Sequence, residues 1–169
     1  MFWLQRTGRV IWEALLGLQR VSLVVLSLYL TILVVFQVVI RYFLQIPFVG
    51  GAAEELTLYV IFWFYFLGAA YSTYNRTYIK GGVVEVLFKK PRVRGYFKVG
   101  SALVCLAIGC LFTVWGYQEF LWNLEVHKIT LMLFLPDAFS YLSIFAGFGL
   151  MSLYFLTELI ESGRGVLRT

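Results

Sequence analysis

Four stretches of this chain contain no Asp, Glu, Lys or Arg, and each is twenty residues long: Val21 to Ile40, Leu56 to Asn75, Val99 to Gln118 and Ala138 to Thr157. Twenty helical residues rise about 30 Å, the thickness of a bilayer's hydrocarbon core. The 14 basic and 9 acidic side chains are all confined to what remains of the 169 residues. That segregation predicts an all-α integral membrane protein with four transmembrane helices, at about 21–40, 56–75, 99–118 and 138–157. The first span is expected to be retained. A signal peptide has an apolar core of about 7–15 residues and a small-residue cleavage site, whereas this run passes straight into Arg41.

Residues 1–20 are read as an N-terminal interfacial amphipathic helix, and 21–169 as a single four-helix transmembrane domain. On a helical wheel Trp3, Leu4, Val10, Ile11, Ala14, Leu15 and Leu18 share one arc. Gln5, Arg6, Arg9, Glu13, Gln19 and Arg20 share the opposite one, which suits a helix lying on a membrane surface. Trp12 and Leu16 interrupt the pattern by falling on the polar arc. Further along, Gly81-Gly82 is expected to break the chain, and Val83 to Phe88 to form a short interfacial turn. Pro91 disfavours helix at Lys90. On the other side, Pro47 and Gly50-Gly51 are expected to form a turn before Ala52-Ala53-Glu54-Glu55 opens the second span. Both carboxylates then favour the positive end of the helix dipole.

Basic residues set the expected orientation. With the N-terminus in the cytoplasm, twelve of the 14 Lys and Arg fall inside and only Arg41 and Lys128 outside. Counting acids as well gives +8 inside and −3 outside, which reproduces the net charge of +5. Both termini are therefore expected in the cytoplasm. The basic balance reports membrane topology and contact with anionic membrane lipids, with no nucleic acid as partner.

The spans also exclude chemistry. None contains a charged residue, a histidine or a proline, so none offers the midplane ionisable or broken-helix site of a self-sufficient ion-coupled transporter. The single histidine, His127, sits in a loop, which excludes a haem held by two histidines. Cys105 and Cys110 diverge by about 140° on one helix, which makes them packing residues rather than a disulfide. No phosphate-binding loop, nucleophile elbow or metal-ligand spacing is present, so no enzyme activity, metal or cofactor is expected. Small residues mark helix-packing candidates instead: Gly68, Ala69 and Ala70 in the second span, Ser143 and Gly147 in the fourth, and Gly109 and Gly116 on one face of the third. Gln37, the costliest uncharged side chain in the first span, is expected to bond within the protein.

Val39-Ile40-Arg41-Tyr42, then Glu54-Glu55-Leu56, then Phe66-Leu67-Gly68-Ala69-Ala70 and finally Leu135-Pro136 follow an order that resembles the DctQ-like small membrane subunit of tripartite ATP-independent periplasmic (TRAP) transporters. One position departs: Tyr78-Ile79 stands where many members carry His-Ile. The resemblance implies a bacterial or archaeal cytoplasmic (inner) membrane and two partners. One is a large elevator-type membrane subunit, and the other a periplasmic substrate-binding protein that delivers a solute, commonly an organic acid, for uptake on an ion gradient, usually sodium. The small subunit is then a rigid bundle that braces the large one and holds no substrate itself. A scaffold subunit of another membrane complex is the competing reading. In this topology Arg41 and the two glutamates meet at one surface. Arg41 is expected to clamp to one of Glu54 and Glu55 while the other contacts a partner, since adjacent helical residues diverge by about 100°.

Overall fold

The structure, a computed structural model, describes residues 2–44, 47–75 and 91–167. Four long helices account for nearly all of them: α1 (Phe2–Val39), α2 (Pro47–Tyr74), α3 (Pro91–Glu125) and α4 (Ala138–Leu167). A π-helical turn, Ile40–Leu44, extends α1. All four helices are long and apolar enough to cross a membrane. The turn expected at Val83 to Phe88 lies outside the described residues.

Two boundaries differ from the sequence expectation. α2 begins at Pro47 and runs through Gly50-Gly51 as helix rather than turning there. Proline suits the first helical position because its missing N–H is unpaired there in any case. The glycines serve close approach: a Cβ on Gly51 would stand 3.3 Å from Met132 Cε, and one on Gly50 4.0 Å from Ile40 Cγ2. α3 likewise starts on a proline, Pro91. At the N-terminus, α1 passes through residue 20 without a break, so no hinge marks off a separate element.

The helices form an open, curved row in the order α1, α2, α4, α3. Among the described residues α1 packs on α2, α2 on α4 and α4 on α3, with no other helix–helix packing of backbones. Buried positions make up 28% and 22% of the most apolar windows of α2 and α4 but 11% in α1 and in α3, as inner and flanking members require. The four helices expected from the sequence are present, and the structure sets them in a row. Without a hydrophobic driving force inside a membrane, helices associate by close packing and polar contacts, and an open row leaves both broad faces apolar.

Neighbours in the row are held at small residues. A Cβ on Gly147 would come within 2.6 Å of Phe66 Cβ and 3.0 Å of its carbonyl oxygen, so α4 lies against the α2 backbone. On the other side of α4, Cβ atoms on Gly109 and Gly116 would meet Ser152 Oγ at 2.8 Å and Phe145 Cα at 3.2 Å. α2 and α4 run parallel, with Tyr59 on Phe139, Phe66 on Phe148 and Tyr74 on Tyr154. α1 and α3 run antiparallel to them. The row thus has a loop edge, which carries Arg41, Glu54, Glu55 and Asp137, and a termini edge, where α1 starts and α4 ends.

Candidate functional site at the loop edge

Arg41 lies on the π-helical turn and Glu54 two turns into α2. Arg41 Nη1 is 3.6 Å from Glu54 Oε1, with side chains 68% and 53% exposed. Such a pair is wet and weak. Glu55, on the neighbouring face of α2, turns to the loop between α3 and α4. Its Oε1 accepts the Met132 N–H at 2.9 Å and its Oε2 the Leu133 N–H at 2.9 Å. Glu55 stands one residue outside the charge-free segment. Desolvation pushes its carboxyl up, but the amide donors of Leu133 and Met132 outweigh it and hold the group below its ordinary value. The adjacent glutamates therefore do different things, one facing a neighbouring span and one a loop.

That loop is tightly made. Thr130 N–H donates to the Leu135 carbonyl at 2.9 Å, and Leu135 N–H to Thr130 Oγ1 at 3.1 Å. Ile129 bridges Pro136, and Lys128 Nζ lies 3.6 Å from Asp137 Oδ2. Tyr59 of α2 reaches over with its hydroxyl, 3.3 Å from the Leu135 carbonyl. Phe134 is held at φ 53°, a left-handed conformation that costs a bulky L-residue energy. Its ring and Leu131 project outward, 70% and 86% exposed.

A family model for the DctQ component of tripartite ATP-independent periplasmic transporters matches residues 30–165. The chain belongs to the DctQ family. It is thus a small membrane component of a TRAP transporter, from a family of transporter parts rather than enzymes. No curated protein matches it. The match takes in the end of α1, the other three helices to residue 165 and the loop edge, so Arg41, Glu54 and Glu55 belong to the DctQ-like region. DctQ components act within transporters that also contain a large membrane subunit and a binding protein.

The packing candidates separate by partner. Gly68 faces α1, where a Cβ would stand 3.7 Å from Leu23 Cδ2. Ala70 is fully buried and Ala69 is exposed. Gly147 faces α2, as described, and Ser143 is buried with its hydroxyl donated to the Ser140 carbonyl at 2.6 Å. Gln37 makes no side-chain hydrogen bond among the described residues, so it is not the internal glue expected of it.

Sequence reasoning missed the contact at the termini edge. Gln19 is 4% exposed, donates to the Leu67 carbonyl at 2.8 Å and accepts the Tyr154 hydroxyl at 2.8 Å. It thereby ties α1 to α2 and α4 at once. The rings of Trp12, Tyr74 and Tyr154 close over it, with Trp12 edge-on to Tyr154 at 5.4 Å. The helical wheel had placed Gln19 on a water-facing arc. Gln19 turns inward instead, together with Trp12, while Glu13 and Arg20 of the same arc stay exposed and Leu18 on the apolar arc is 71% exposed. A signal was present: Trp12 and Leu16, the two residues that broke the pattern, share a helical face with Gln19 and Leu23.

Proposed function

We propose that this chain is the stationary brace of a TRAP transporter, set beside the large subunit in a bacterial or archaeal inner membrane with both termini in the cytoplasm. The large subunit moves the solute, an organic acid delivered by the periplasmic binding protein, on an ion gradient. This subunit holds no substrate site. The observation that carries the reading is the open row. Among the described residues α1 packs along α2 and reaches α4 only through side chains at the termini edge, α3 packs on α4, the two broad faces stay apolar, and the spans carry no charged side chain or histidine to bind a coupling ion. A partner with a matching membrane surface fits such a row better than a solute does.

The exposed end of the same reading is the loop edge. Arg41 and Glu54 remain accessible there, while Glu55 is spent on the loop that displays Leu131 and Phe134. On the helix faces, Ala69 gives a partner helix a small residue to approach. The test is reconstitution. The large subunit should co-purify with this chain, and gradient-driven uptake should need both membrane subunits and the binding protein. Uptake by proteoliposomes holding this chain alone, above empty liposomes, would overturn the proposal. Orientation is tested separately by labelling cysteines introduced at Gly82 and Asn75 in intact cells, where protection is expected.

A further inference from the structure

The charge-free segments are equal in length, yet they are not level in the row. In the centre, α2 and α4 are flush. The midpoint of the α4 segment lies between Gly147 and Phe148, and both residues meet Phe66, at the midpoint of the α2 segment. The α1 segment is centred between Leu30 and Thr31. Leu23 faces Gly68 and Ile40 faces Gly50, which sets that centre beside Tyr59 and Val60. It is thus about six residues, or about 9 Å, nearer the loop edge than the α2 centre. The α3 segment is centred between Ile108 and Gly109, and Gly109 faces Ser152. It is displaced by about five residues, or about 7 Å, the opposite way.

The two displacements lie at opposite ends of the row and have opposite signs, so the charged boundaries form parallel staircases. Along the loop edge they descend through Arg41, Glu55, Asp137 and Glu119. Along the termini edge they descend through Arg20, Asn75, Glu158 and Lys98, with Asn75 the last uncharged residue of its segment. If the helices stood upright, Glu119 would be drawn into the hydrocarbon from one side and Arg20 from the other. Charges at such depths are strongly disfavoured.

We infer that the row sits in the bilayer with its helices inclined within the plane of the row, so that both staircases lie along the membrane surfaces. A displacement of about 16 Å over three interaxial spacings of about 8–10 Å each gives a tilt of roughly 30°. The surface offered to lipid is therefore an oblique apolar band, low on one flank and high on the other. This orientation concerns the chain and the lipid, and holds whether or not the chain acts as a brace.

Four exposed positions give opposite outcomes for the two orientations. Val38 is level with Ala52, outside the α2 segment, but lies inside its own. Leu121 is level with Ser140, inside the α4 segment, but lies outside its own. Leu18 and Leu103 repeat the crossing at the termini edge. Single cysteines at these positions, in a chain carrying Cys105→Ala and Cys110→Ala, would be spin-labelled in phospholipid vesicles. Depth is then read from the ratio of oxygen to nickel-chelate accessibility. The inclined row requires Val38→Cys to lie deeper than Leu121→Cys, and Leu103→Cys deeper than Leu18→Cys. The reverse order, or equal depths, at either edge would overturn it. Polarised infrared dichroism of the unmodified chain gives a second measurement, with a mean helix tilt of roughly 30° expected and a tilt under about 15° excluding the inference.

Discussion

The two edges of the row are closed by different chemistry. At the loop edge the contacts are ionic and reach backbone: Glu55 to two amides, Arg41 to Glu54, Lys128 to Asp137. At the termini edge one buried amide side chain joins three helices under a cover of aromatic rings. Polar contacts at the first edge sit beside water and are replaceable by it. Gln19 at the second has almost no access to solvent, so losing one partner leaves a group with nothing else to bond. The loop edge therefore fixes where a loop points, and the termini edge fixes how the helices converge.

The comparison presupposes that the middle of the row holds both edges in register, and Gly147→Leu breaks it. A side chain there meets the Phe66 backbone and must push α4 from α2. The expected loss is about 1–3 kcal/mol or more. It is read as a lower midpoint of thermal unfolding in detergent, with faster proteolysis at both edges. Gly100→Leu, whose Cβ meets nothing within 4 Å, should shift the midpoint little. Equal shifts for the two variants would show that the glycine contact does not hold the row.

Next in size is the termini edge. Gln19→Leu removes the acceptor of Tyr154 and the donor to Leu67, with an expected loss of about 1–2 kcal/mol. Tyr154→Phe should cost less, because only one hydrogen bond goes. The double variant should cost clearly less than the sum, since both changes remove the same bond. Additivity would mean that the bond between them carries no energy.

The loop edge was legible in the sequence and the termini edge was not, for a physical reason. Charges next to apolar runs are confined to membrane surfaces, so Arg41, Glu54 and Glu55 had to gather wherever the first two spans ended. Which glutamate faced the arginine was not legible, because it depends on a loop whose two amides, 77 and 78 residues further along the chain, bind Glu55. Gln19 was misplaced because a wheel sorts residues by polarity, and in a membrane the polar side of a helix is often the one that faces protein. Equal twenty-residue segments fixed the number of helices. Their order in the row depended on where Gly68, Gly147, Gly109 and Gly116 met a neighbour, which spacing alone does not specify.

Glu55→Gln tests the local character of the loop edge. The amide keeps one acceptor oxygen and loses the charge, so one of the two amides, Met132 or Leu133, is left to water. Hydrogen exchange of residues 126–137 should quicken several-fold, while α2 and α4 keep their protection. The depressed pKa gives the same effect by titration. A carboxyl held below its ordinary value contributes stability that is present above that value and lost as pH falls through the folded pKa, so acid should loosen this loop in the wild type. In Glu55→Gln that acid response should disappear. If α4 loses protection together with the loop, the carboxylate holds the helices as well, and the contrast between the edges fails.

The smallest effect belongs to Arg41 and Glu54. Their pairing at 3.6 Å with both side chains more than half exposed places it at about 0–1 kcal/mol. Arg41→Ala and Glu54→Gln should each shift the unfolding midpoint of the isolated chain barely at all, and the double variant should be additive to within about 0.5 kcal/mol. The same variants then sharpen the comparison in the assembled transporter. A weak exposed pair beside a fixed loop is available to a partner, and a partner that covers it removes the water that made it weak. Uptake or co-purification should then fall for Glu54→Gln when the chain alone is as stable as before. Loss of stability in the isolated chain would identify the pair as an internal clamp, and no change in either measurement would reduce it to two independent anchors at the membrane surface.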